Sequence, residues 1–159
     1  MSFLLDSFQF GEAGAGPPPP PPTPTSTQWR ILFTGDTVTP GATTACMETD
    51  MRLDVGGADQ CSGGTPAASS SHGTHPPSFA FDNDTNSHWR TIDTGLNNWL
   101  QYTFGSTKAI DQFWYRNWSV GQAPLSMELQ YWDGAAWVTW ISTGAISWAS
   151  DGETKFFSN

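Results

Sequence analysis

Along most of this chain apolar and polar residues alternate with a period of two. In Cys46–Val55, the residues Met47, Thr49, Met51, Leu53 and Val55 interleave with Glu48, Asp50, Arg52 and Asp54. Leu100, Tyr102 and Phe104 interleave with Trp99, Gln101 and Thr103; Met127, Leu129 and Tyr131 do so with Ser126, Glu128, Gln130 and Trp132. Successive side chains of a strand point to opposite faces, so this pattern predicts half-buried strands. Further strands are predicted over Trp29–Thr34, Ala109–Asn117 and Trp137–Ile141. In the second of these, Ile110, Phe113 and Tyr115 should face inward, and Trp114 and Arg116 outward. Asp133-Gly134 between two apolar runs predicts a short connection, lengthened by the following Ala-Ala. No stretch carries a helical repeat with caps. The expectation is an all-β fold, an antiparallel jelly-roll β-sandwich of about eight strands.

Two segments precede the alternation. Residues 1–10 form an apolar peptide with Phe3, Leu4, Leu5, Phe8 and Phe10; residues 11–28 include six consecutive prolines. A proline-rich stretch with almost nothing to bury favours extended polyproline II and acts as a semi-rigid spacer. An apolar peptide held off from its own domain gains by adding to another protein's groove or sheet edge, so residues 1–10 are read as a docking peptide. The expected organisation is docking peptide 1–10, linker 11–28 and sandwich 29–159.

Composition sharpens this picture. Nine Trp, sixteen Gly and twelve Pro, with only 13% charged residues, fit short strands joined by tight turns. A formal charge of -9, with the six basic residues scattered, excludes nucleic acid and disfavours an anionic membrane surface. No run approaches the roughly 20 apolar residues of a membrane span, so no membrane insertion is expected. The N-terminus has no basic flank and no small-residue cleavage site, so no signal peptide is expected. Cys46 and Cys61 match no zinc or redox spacing. They either pair across a loop or stand as a buried thiol and an unrelated loop cysteine.

The densest polar cluster is FDNDTNSHW, residues 81–89. Asp82, Asp84 and Ser87 set oxygen atoms at short alternating spacing, which suits calcium, although Asx-turns use the same residues. His72, His75 and His88 have no cysteine or second histidine at ligand spacing and are read as surface residues. No nucleophile elbow, phosphate-binding loop or zinc-protease motif occurs, and Asp82 and Asp84 share one loop instead of facing across a cleft. The chain is therefore read as non-enzymatic. Trp114, Trp118, Trp132 and Trp148 are the aromatics the core explains least. They fit either sugar stacking and an interface hot spot, or cover for the second sheet or a neighbouring subunit.

SFAFDNDTNSHWRT, NNWLQYTFGSTKAIDQFWYRN and PLSMELQYWDGAAWVTW together resemble the discoidin family (coagulation factor 5/8 type C, galactose-binding-like). Ala80, Asp82, Asp84, Ser87 and Trp89 match its loop, with Asn83 in place of the usual glycine. Trp99, Leu100, Phe104 and Gly105 match the next strand, and Asp133, Gly134 and Trp137 the hairpin. WRILFT and ACMETDMRLDV are similar to the family's two closing strands but come first, so the resemblance implies a circular permutant. It also implies a structural calcium ion held by Asp82, Asp84, Ser87 and Glu48, with carbonyls near Phe79 and Met47. Asn83 would then take a positive φ. By type and rough location, the resemblance further points to Arg116, Asn117 and Trp118 as a sugar site.

The apolar peptide, polyproline spacer and early WRI strand look like those of bacteriophage virion proteins that carry discoidin-like modules. The resulting expectation is a non-catalytic capsid or tail decoration protein, docked to other virion proteins by its N-terminal peptide. It would be present as a homo-oligomer or in many copies and adhere to a cell-surface glycan. The alternatives are a purely structural oligomeric virion protein without ligand, and an ancillary carbohydrate-binding module.

Overall fold

The structure, a computed structural model, describes residues 21–94 and 96–159. The apolar peptide with Phe3, Leu4, Leu5, Phe8 and Phe10 lies outside the described residues, as do residues 11–20 of the proline-rich segment.

The described chain forms two antiparallel sheets. The strands are β1 (Ser26–Phe33), β2 (Ala45–Arg52), β3 (Thr65–Ala68), β4 (Trp89–Arg90), β5 (Trp99–Lys108), β6 (Gln112–Asn117), β7 (Met127–Trp132), β8 (Trp137–Ser142) and β9 (Thr154–Ser158). The five-stranded sheet runs β3-β5-β1-β7-β8 and the four-stranded sheet β4-β2-β6-β9. The only helical turns among the described residues are two short 3-10 segments, Pro77–Ala80 and Val120–Gln122. None is long and apolar enough to cross a membrane. The predicted all-β sandwich is what forms.

Alternation decides which face each strand buries. Trp29, Ile31 and Phe33 of β1, Leu100, Tyr102 and Phe104 of β5, and Met127 and Leu129 of β7 point into the space between the sheets. Met51, Trp89, Phe113 and Tyr115 meet them from the other sheet. Phe33 sits at the centre, its ring 5.7 Å from Trp89 and 5.9 Å from Tyr115. Each fully buried side chain of this size contributes about 1.5–3 kcal/mol through the apolar area withdrawn from water. The hairpin between β7 and β8 forms at the expected place. Asp133 Oδ1 accepts the Ala135 and Ala136 N–H groups at 2.8 Å, and Gly134 takes a φ of 106°.

Several boundaries differ from the sequence pattern. β1 starts at Ser26 instead of Trp29, and β6 at Gln112, although Ile110 before it is fully buried. β2 stops at Arg52, which leaves Leu53 and Val55 outside the core at 45% and 68% exposure. The chain turns there at Gly56 (φ 78°) and returns, with the Gln60 N–H donating to the Met51 carbonyl. Trp148 is also corrected: it is buried, its indole N–H donates to the Pro124 carbonyl at 2.8 Å, and its ring lies 5.9 Å from Tyr115. Cys46 and Cys61 are both free and both buried. Burial pushes both thiols well above their usual range.

Candidate functional site

The acidic loop is clamped at both ends by aromatics: Phe81 packs on Tyr102 at 5.1 Å, and Trp89 stacks on Phe33. Between them the backbone folds on its own side chains. Asp82 Oδ1 accepts the Asp84 N–H at 2.9 Å, and Asp84 Oδ1 accepts the Asn86 N–H at 2.9 Å and its amide at 2.8 Å. These two Asn86 bonds hold the Asp84 carboxyl below its usual range. Asn83 adopts a φ of 58°, the left-handed region that Asn enters more readily than most residues.

Ser87 shows what this loop encloses. Its hydroxyl oxygen lies 2.9 and 3.1 Å from the Asp82 carboxylate oxygens, 3.0 Å from the Asp84 carbonyl and 3.4 Å from the Phe79 carbonyl. A hydroxyl has one hydrogen to donate, so this nest holds more acceptors than protons. Glu48 adds to the excess. It is 3% exposed; Oε1 accepts the Thr49 N–H at 3.2 Å, while Oε2 is buried without a partner. Burial, then the charges of Asp82 and Asp59, push its carboxyl up to about 8.

An oxygen-rich nest short of positive charge fits a hard cation. Asp82, Ser87, Glu48 and the Phe79 carbonyl are the groups able to hold one. Asp84 turns its carboxylate to Asn86 and presents its carbonyl instead, and Met47 falls at the bulge between Cys46 and Glu48. Among the described residues no group of three or more His, Cys, Asp or Glu side chains converges as a metal centre.

Of the three residues expected to bind sugar, Asn117 is taken up by the fold. Asn117 is fully buried; its amide donates to the Ser150 carbonyl at 3.1 Å and its side-chain oxygen accepts the Glu153 N–H at 3.1 Å. It ties down the approach to β9 and has nothing left to offer a ligand. Arg116 points outward as predicted, half-buried, with Glu48 opposite it on β2 and Thr154 on β9. The ion pairs among the described residues, Arg52–Asp50 and Lys155–Glu153, do not include Arg116, and its Nε is buried without a partner.

Trp118 is half-buried, and one face of its ring stacks on His88 at 3.9 Å and 17°. His88 in turn stacks on His75 at 4.1 Å, and His75 lies 5.3 Å from His72. The histidines expected at the surface thus form a ladder, and His88 is 9% exposed. No spacing in the chain could announce it, because three separate loops supply the rings. On the outer face of the five-stranded sheet, Trp132 pairs with Trp137 at 5.6 Å. Arg30 lies over Trp137 at 4.4 Å while its Nε donates to Gln130 at 2.8 Å.

A family model described as F5/8 type C domain matches residues 65–158, more than half of the chain. No curated protein and no solved structure matches it.

Proposed function

The chain belongs to the F5/8 type C domain family, and from that premise we propose that it is a non-catalytic binding module for a glycan on a cell surface. Arg116 carries the reading. A half-buried guanidinium outside every ion pair of the described chain keeps its terminal N–H groups for a partner. Sugar hydroxyl and ring oxygens supply acceptors for them, and the half-buried Trp118, two residues further along the chain, offers apolar surface on which a sugar ring packs. Asn117 holds the strand end in place and drops out of the ligand set.

Calcium belongs to the same proposal as a structural ion of the acidic loop, held by Asp82, Ser87, Glu48 and the Phe79 and Asp84 carbonyls. The crowding around Ser87 and the unpartnered Glu48 oxygen support it. The circular permutation is supported by the family match, which begins after β1 and β2 although these are interior strands of the two sheets. The finer proposal is a phage capsid or tail protein, present in many copies and docked to other virion proteins through Phe3, Leu4, Leu5, Phe8 and Phe10. It rests on the apolar peptide and polyproline spacer of the sequence. Multiple copies would raise a weak single-site affinity into firm adhesion.

The test is a glycan array probed with a multivalent form of the full chain, with calcium and with chelator. Binding should fall at least about tenfold in Arg116→Ala, the loss of one charge-assisted hydrogen bond, with an unchanged melting temperature. A second reading, a structural oligomer without ligand, is favoured by Ile92 and Leu96, which stand 60% and 56% exposed in the loop between β4 and β5. An empty array together with a stable oligomer that dissociates in Leu96→Asp would replace the first reading with the second.

A further inference from the structure

A cleft of about 520 Å³ lies away from the acidic loop, lined by Pro21, Thr23, Asp111, Trp140 and Asn159. Its walls come from both sheets. β8 edges the five-stranded sheet and carries Trp140; Asp111 precedes β6, and Asn159 follows β9, the edge of the four-stranded sheet. Such a volume falls within the ~300–1,000 Å³ typical of small-molecule sites.

Three observations give the cleft a chemical preference. Trp140 is the residue set aside by a break in register: Gln130 pairs with Thr139 and Leu129 with Ile141, so Trp140 has no cross-strand partner. Bulges of this kind re-aim a side chain and recur beside binding sites. Its indole ring is half-buried against the core, and its N–H is buried with no acceptor. Asp111 is the anionic acceptor of the wall; it receives the Thr23 hydroxyl at a long 3.3 Å, which leaves most of its lone pairs available. With an aspartate in the wall and a net charge of -9 on the chain, the cleft repels anions.

We propose that this cleft is a second carbohydrate subsite that takes one uncharged hexose unit. The Trp140 ring packs against the sugar's C–H face. Asp111 and Asn159 receive and supply hydrogen bonds to the hydroxyls. The inference rests on the glycan-binding reading for its ligand class but on none of the residues of the Arg116 site.

The experiment uses the full chain, ¹⁵N-labelled, titrated with glucose, galactose, mannose, N-acetylglucosamine and glucuronate, following the Trp140 indole resonance. At least one neutral sugar should move that resonance saturably, with an affinity of about millimolar as befits a monosaccharide, while glucuronate should not. Asp111→Ala should weaken the binding at least fivefold, Trp140→Ala, followed on the Asn159 backbone amide, should abolish it, and Arg116→Ala should leave it unchanged. The proposal is overturned if no neutral sugar moves the resonance, or if the affinity survives both Asp111→Ala and Trp140→Ala. An array signal that depends on Arg116 with no response at Trp140 overturns this cleft and leaves the first reading standing. A response at Trp140 that ignores Arg116 upholds the cleft whatever becomes of that reading.

Discussion

His88 is a buried imidazole between His75 and Trp118, and its surroundings decide its charge. Burial first, then the neighbouring positive charges of His75 and Arg90, push it down to about 4. Folded, it stays neutral until the solution is strongly acid; unfolded, it takes its proton at about 6.5. Stability contributed by the neutral ring is therefore complete above about 6.5, falls as the pH drops, and is fully lost by about 4. The loss should amount to about 3 kcal/mol at most. Urea unfolding of the wild type and of His88→Phe, which keeps a ring against Trp118, should show the difference between pH 7.5 and 4. Equal slopes in both proteins would refute the assignment. Asn83 was legible in the sequence as a residue standing where a glycine is usual, and its left-handed φ follows. The ladder and the structural role of Asn117 were not legible. Both depend on loops that meet only in three dimensions, and Asn117 reads like a surface ligand until Ser150 and Glu153 close on it.

At the scale of elements, β2 joins the sheet to the acidic loop. Its alternation correctly set Thr49 and Met51 facing the core and Glu48 and Asp50 away from it. It could not show that Glu48 and Asp50 would nonetheless be covered, at 3% exposure each, because the neighbours of Glu48 include Asp59 and Asp82, brought there from distant parts of the chain. Nor could it show that the strand stops at Arg52, since Leu53 and Val55 continue the pattern into a turn. Burial and the charge of Asp82 raise Glu48 to about 8, so the folded protein keeps it protonated at neutral pH while the unfolded chain ionises it near 4.5. The stability this gives is complete below about 4.5 and drains away as the pH rises through about 8. Glu48→Gln mimics the protonated form. In chelator at pH 8 the variant should therefore melt several degrees above the wild type. Calcium should reverse the order, since a cation takes the ionised carboxylate and stabilises only the wild type. Thermal melts with calcium and with chelator decide the matter. If calcium shifts neither protein, the metal proposal fails, while the pH dependence in chelator still stands on the burial of Glu48.

The whole molecule carries a topological oddity. β1 lies between β5 and β7, and β2 between β4 and β6, yet both precede the matched family segment. Strands so deep in two sheets are integral to the core: Trp29, Ile31, Phe33 and Met51 all lie within it. Their early place in the chain is tolerable because the two ends of the sandwich meet. Thr23 and Asn159 line the same cleft, and a chain whose termini are close can be rejoined there and opened elsewhere. A permutant that omits residues 1–22, joins Asn159 to Thr23 through a short glycine-serine linker and opens between β2 and β3 at Gly56-Gly57 would place these strands last. Closing one short loop and opening another changes the loop entropy little, so its stability should lie within about 2 kcal/mol of the parent. Glu48 would then reach the acidic loop from the final strand, and the calcium response should persist. A permutant without dispersed NMR signals from Trp29, Phe33 and Tyr115 would show that these strands cannot close the sandwich from the other end, and the permutation proposal would fall.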